Sequence, residues 1–215
     1  MTNIWQQIND VAADAVTTVQ ESLVQIVTEN NGIGAGTIWQ ADGLVITNAH
    51  VVIERGRERR NLEVVLQNGE RYPAQILVAD EKLDIAALAI PAHDLPTIKI
   101  GDSSRLQAGQ WLMASGHPWG MLDALTAGIV IGTGDKLPEV GNDRRDWIAL
   151  DMKMRPGHSG GPLFNHDGEI VGINTMIRGP EVSFAVPVDV VKAFLKRTIG
   201  TNEKPTFTPE DVVVI

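Results

Sequence analysis

A serine walled by glycines, Gly157-His158-Ser159-Gly160-Gly161, stands late in this chain, and the histidine and aspartate able to serve it both stand before it. That order constrains the fold more than any other feature. Within the longer string Arg155-Pro156-Gly157-His158-Ser159-Gly160-Gly161-Pro162-Leu163 the glycines leave room for another backbone to approach. The amides of Gly157 and Ser159, with that of His158 a third candidate, are placed to converge on a developing oxyanion. A serine hydroxyl is a poor nucleophile until a base takes its proton, and the base needs a third group to fix its tautomer. The string also satisfies G-x-S-x-G, the nucleophile elbow of α/β-hydrolases, in which the acid and then the histidine follow the serine. Here only His166 follows Ser159 before any later carboxylate, so that order fails.

The upstream partners are Thr47-Asn48-Ala49-His50-Val51-Val52, which ends the apolar run Leu44-Val45-Ile46, and Leu83-Asp84-Ile85-Ala86-Ala87-Leu88, which opens another. The order His50, Asp84, Ser159 is that of the chymotrypsin fold.

At 215 residues and 43% hydrophobic content the chain can bury a sizeable core, as one large domain or two fused lobes. It holds no apolar run long enough to span a membrane, and its N-terminus lacks the basic start and apolar stretch of a secretory signal. As written it reads as cytoplasmic; removal of an export signal would make it periplasmic or extracellular. The absence of cysteine excludes disulfides, thiolate metal sites and a cysteine nucleophile. No cofactor or metal is called for. A net charge of -9 gives no footprint for nucleic acid, and the cluster Arg55, Arg57, Arg59, Arg60, broken by Glu54 and Glu58, reads as a solvated loop.

Apolar residues from Ile4 to Val19 recur at three- and four-residue steps, predicting an amphipathic helix over 3–20. Short β-rich runs then alternate with turn signals such as Asn68-Gly69 and Asp167-Gly168, so the middle of the chain is all-β. The parse is two lobes, 22–90 and 107–188, joined by a linker over 91–104. A second helix follows over 188–199, with Lys196 and Arg197 in its last turn. A tail over 201–215 holds Pro205 and Pro209 and closes on Val212-Val213-Val214-Ile215.

Together these motifs resemble the trypsin-like serine proteases, and specifically the HtrA (DegP/DegS-like) protease domain. The resemblance rests on Gly34-Ala35-Gly36, the runs around His50 and Asp84, Gly116-His117-Pro118-Trp119-Gly120, Pro156 to Leu163, Gly168 to Thr175 and Phe184-Ala185-Val186-Pro187. It implies a protease domain over 1–200 built of two six-stranded β-barrels, flanked by the N- and C-terminal helices, with the site between the lobes. It implies a serine endopeptidase acting on unfolded or extended polypeptides, with His50 as base, Asp84 orienting it and Ser159 as nucleophile. The other reading within the family is a chaperone-like polypeptide binder whose oxyanion loop rests inactive. The resemblance also places substrate-binding residues at Asn174, Thr175, Met176, Ile177 and Ser183. Thr175 falls where a hydroxyl meets the triad carboxylate. Ile177 falls where deep-pocketed relatives have glycine, so either it makes the pocket shallow, for Val, Ala, Ile or Leu, or it packs inward.

The chain departs from the family at His158 and His117, where HtrA proteases usually carry asparagine. Either these are independent polar substitutions or their protonation adjusts the oxyanion loop. About 15 residues after Gly200 leave no room for a PDZ domain, so switching is expected from the loops 132–146 and 178–182 or from oligomerisation. HtrA-like domains are commonly trimers built through N-terminal aromatics. Trp5 either makes such a contact or belongs to a helix packed on its own barrel. The aliphatic tail end resembles a product that the pocket would accept.

Overall fold

The apolar runs on either side of the candidate histidine and aspartate are continuous rather than alternating, which marks strands covered on both faces. A computed structural model describes residues 3–29, 33–122, 124–137, 145–178 and 182–200. The tail over 201–215, parts of the loops 132–146 and 178–182, and the side chains of Trp5, Met176 and Ile177 lie outside the described residues.

Strands β3 (Leu44–Thr47) and β9 (Ile85–Ala89) are buried at every position. Val45, Ala86 and Leu88 belong to a core with Val24, Ile26 and Ile38, inside the first sheet. Their neighbours Leu44, Ile46, Ile85 and Ala87 belong to a second core that holds Met113, Trp147 and Phe184 of the other lobe. Two strands thus form the wall between a barrel interior and an interlobe seam.

The first sheet runs β7 (Arg71–Pro73), β6 (Glu63–Val65), β1 (Leu23–Val27), β2 (Ile33–Gln40), β3, β9, β8 (Gln75–Asp80). Its edge strands β7 and β8 are separated by Ala74 alone. One residue spans only about 7 Å between its neighbours, so the sheet must curl until its two edges meet at that corner. A small hairpin of β4 (Ile53–Glu54) and β5 (Arg57–Glu58) stands apart. In the second sheet β15 (Glu169–Arg178), β14 (Pro162–Phe164), β11 (Trp111–Gly116), β12 (Ala124–Gly134), β13 (Trp147–Asp151) and β16 (Val182–Pro187) form a ring closed by β15 on β16, with β10 (Lys99–Ile100) added in parallel outside. Closure joins the first and last strands of this ring, which therefore has no free edge strand. The architecture is the expected all-β double barrel with a helix at either end. The second sheet is a closed six-stranded barrel, whereas the first carries seven strands, has no pairing between its edge strands among the described residues and is a half-barrel.

Helix α1 (Ile4–Ser22) sends Ala15 and Val19 into the seam, while Ile4 and Val11 remain exposed. A one-turn helix α2 (Ala49–Val52) follows β3. Helix α3 (Val188–Thr198) adds Val188, Val191, Phe194 and Leu195 to the same seam. The amide of Gly200 returns to the carbonyl of Leu195 and closes the helix.

Candidate active site

Strands β3 and β9 are antiparallel, and their last paired residues are Thr47 and Ala86. The chain leaving β3 and the chain entering β9 therefore meet at one end of the sheet, which sets His50 beside Asp84. The Asn48 side-chain amide donates to the Asp84 carbonyl at 2.9 Å and ties the two segments together. The Asp84 carboxylate accepts the His50 backbone amide at 3.1 Å and His50 Nδ1 at 2.9 Å from each oxygen. Donation from Nδ1–H leaves Nε2 as the basic nitrogen of the neutral ring. The imidazole is 50% exposed and the carboxylate 12%. Asp84 holds a φ of 56°, a left-handed conformation uncommon outside glycine that a surrounding hydrogen-bond network must maintain.

Ser159 sits on the turn that enters β14. Its carbonyl accepts the amide of Ala35, from β2 of the first barrel, at 2.9 Å. Gly160 makes this crossing: a Cβ there would run into the Ala35 carbonyl and the Thr47 hydroxyl. The amide of His158 donates to the Arg155 carbonyl at 3.0 Å, so it closes the turn and is not free to join an oxyanion site. The amides of Gly157 and Ser159 donate to no group among the described residues. Gly157 has a φ of 105°, and a Cβ on it would lie 2.6 Å from the Cα of Pro118. The His117 amide donates to the Gly157 carbonyl at 2.9 Å and fixes that peptide's direction.

Residue Thr175 is the bulge of β15: the pairing with β16 passes from Asn174 opposite Ala185 to Met176 opposite Phe184. A bulge re-aims the residue it contains, and here the Thr175 hydroxyl donates to Asp84 Oδ2 while its carbonyl accepts Ser159 Oγ at 2.9 Å. Among the described residues no hydrogen bond joins Ser159 Oγ to His50. Strand β14 ends its pairing at Pro162 opposite Ile173, so beyond Asn174 no strand among the described residues covers the second edge of β15. Asn174 is fully buried and donates to the carbonyls of Ser115 and Pro162. Ser183, also fully buried, donates to the Met152 carbonyl at 2.6 Å. Both were expected among the substrate-binding residues; their side chains brace the second barrel. The backbones of Met176 and Ile177 lie on β15, and their side chains fall outside the described residues.

His117 and His158 are both buried, one in each of the two loops that pack through Gly116 and Gly157. The His158 ring turns back on its own loop, with Nδ1 3.1 Å from the Arg155 carbonyl. Burial pulls its pKa below the ordinary 6.5, the hydrogen bond to Arg155 opposes that, and the charge of Arg155 adds to it. The ring is therefore neutral near pH 7.

A cleft of about 230 Å³ brings His50, Val51, Gly157, Ser159 and Arg59 together. A larger hollow of about 520 Å³ lies elsewhere, between Asp102, Trp111 and His166, away from these groups. Arg59 gave no sequence signal as a site residue. Arg55, Arg57 and Arg60 are exposed as expected of a solvated loop, but Arg59 is turned inward. The Arg55-Gly56 pair, a turn signal, pointed to the hairpin that does this. Among the described residues no group of three or more His, Asp or Glu is arranged to hold a metal ion, and no helix is long and apolar enough to cross a membrane.

Residues 34–173 match the model of the trypsin-like peptidase domain. The chain is 38% identical over 182 residues to the mitochondrial serine protease HTRA2 of Drosophila willistoni, and equally so to that of Drosophila pseudoobscura pseudoobscura. The match covers 84% of this chain and 41% and 42% of the two relatives, so the chain spans well under half of their length. Both relatives are named as mitochondrial.

Proposed function

The chain belongs to the trypsin-like peptidase family, with an HtrA-like protease domain, and from that premise we propose that it is a serine endopeptidase cutting unfolded or extended polypeptides through Ser159, His50 and Asp84. The observation that carries the reading is the pairing of His50 Nδ1 with Asp84 at 2.9 Å, beside a cleft that His50 shares with Ser159 and Gly157, whose two amides donate to no group among the described residues. Ser159 Oγ attacks the scissile carbonyl and His50 Nε2 takes its proton. Asp84 holds the imidazole in the right tautomer and stabilises the imidazolium. The amides of Gly157 and Ser159 receive the oxyanion, a site where one donor is typically worth roughly 3–4 kcal/mol. His50 then protonates the leaving amine, and water repeats the sequence on the acyl-enzyme.

The uncovered edge of β15 is the natural dock for the acyl side of an extended substrate, added as one more strand. The branched Ile177 beyond Thr175 suits a shallow pocket, and cleavage after Val, Ala, Ile or Leu follows. Exposed Ile4 and Val11 on α1 support a homotrimer in which the first half of this helix covers a neighbouring copy.

One observation favours a second reading, a polypeptide binder at rest: the Ser159 hydroxyl is held by Thr175 instead of His50. Incubating wild type, Ser159→Ala and Asp84→Asn with unfolded casein and a fluorophosphonate probe separates the two. The peptidase reading requires degradation and labelling by wild type alone, with Asp84→Asn slowed about 10⁴-fold. Equal casein binding by all three proteins, with neither cleavage nor labelling, would establish the binder.

A further inference from the structure

We propose that Arg59 selects an acidic residue on the leaving-group side of the scissile bond, an assignment that rests on the peptidase reading of His50 and Ser159. The two sides of a substrate are distinguishable from the geometry. Its acyl side follows the open edge of β15 from Thr175. The leaving amine must receive its proton from His50, so the leaving segment departs over that ring, away from β15. The 230 Å³ cleft is lined by His50, Val51 and Arg59 together with Pro156, Gly157 and Ser159, and by no residue of β15. It is therefore the path of the leaving segment.

Backbone folding delivers Arg59 to this place. Glu54 pairs with Arg57 across a two-residue loop, Arg55-Gly56, with φ of 53° and 72°. Positive φ at both positions is the type I′ geometry that matches strand twist. The chain then returns beside the histidine helix, where the Arg59 amide donates to the Val52 carbonyl at 2.8 Å.

The guanidinium arrives under-used. It is 22% exposed, and its Nε is buried with no hydrogen bond among the described residues. Its ion-pair partner is Glu54, at the long distance of 3.5 Å and itself 54% exposed. A guanidinium carries five donors in a planar fork that fits a carboxylate with two parallel bonds. Partial burial in a cleft strengthens such a pair by excluding water. Arg59 also borders an adjoining hollow of about 710 Å³ lined by Arg55, Arg57 and Arg60 and by Glu29, Glu54 and Glu58.

The test uses internally quenched peptides with one fixed acyl half ending in Val, while the first two leaving-side residues are Ala, Asp, Glu or Lys. For wild type, kcat/KM for acidic over alanine peptides should be about fivefold to tenfold, the size of one partly buried charge-assisted contact. The ratio should shrink in high salt. It should fall to about one in Arg59→Gln and turn in favour of lysine in Arg59→Glu. Ratios taken within one variant do not depend on how much of it is folded. A wild-type ratio of one, or a ratio unchanged in Arg59→Gln, overturns the assignment while cleavage and fluorophosphonate labelling leave the peptidase reading intact. No cleavage and no labelling of Ser159 overturns both.

Discussion

The hydroxyl of Ser159 and the carbonyl of Thr175 are joined by a 2.9 Å hydrogen bond, so the proposed nucleophile rests on the backbone of β15 and not on His50. On the proposed function, a substrate strand paired with the open edge of β15 would bring its own N–H to that carbonyl, compete Ser159 Oγ away and free it to turn to His50.

This competition makes substrate length a catalytic variable. Extending the acyl half from one residue to three or four should raise kcat roughly fivefold, about the value of one hydrogen bond, in addition to any fall in KM. Steady-state kinetics on a length series reads the split; a change confined to KM would leave the resting bond without a catalytic role.

Removing the Thr175 hydroxyl while keeping its carbonyl tests the other half of the bulge. In Thr175→Val the Asp84 carboxylate loses a donor, and a hydrogen bond to a charged group contributes about 1.5–3 kcal/mol. We expect kcat/KM to fall roughly tenfold to a hundredfold, with Thr175→Ser restoring most of it. Equal activity of Val and Ser variants would assign Asp84 enough support from His50 and its backbone alone.

His158 links acid stability to the oxyanion loop. Its folded-state pKa lies below its ordinary value of 6.5, so above that pH both folded and unfolded rings are neutral and it contributes no pH dependence. Below it the unfolded ring takes up its proton first, and stability falls as pH drops toward the folded-state pKa. Thermal unfolding at several pH values between 7.5 and 5 should show a steeper acid-side loss in wild type than in His158→Asn. Parallel curves would remove His158 from the account.

The left-handed Gly157 faces the His117 and Pro118 backbone with no space for a side chain. Gly157→Ala should turn its peptide and withdraw one oxyanion donor, lowering kcat by about 10²–10³-fold. Circular dichroism should remain unchanged, since the turn lies outside both barrels' strand ladders. Wild-type turnover would show that the amide is not a donor.

Much of this site could be read from chain order. His50 and Asp84 flank apolar runs because β3 and β9 wall two cores at once, and the same runs that mark burial carry the two residues to one end of the sheet. The roles of Asn174 and Ser183 could not be read that way. A polar residue beside a reactive strand looks the same in sequence whether it faces a substrate or holds a neighbouring carbonyl, and only the register with β14 and β16 distinguishes them. The bulge at Thr175 was equally hidden, because nothing local to Asn174-Thr175-Met176 demands an unpaired residue. Arg59 was concealed by its neighbours: four arginines within six residues share one composition, and the hairpin turns a single one inward.

The seam between the lobes receives side chains from α1 near one end of the described chain and from α3 near the other. His50 and Ser159 stand on opposite sides of that seam. Each barrel keeps an interior of its own, so peeling back either helix would strip apolar side chains from the shared seam and loosen the fit of one lobe on the other without emptying either interior.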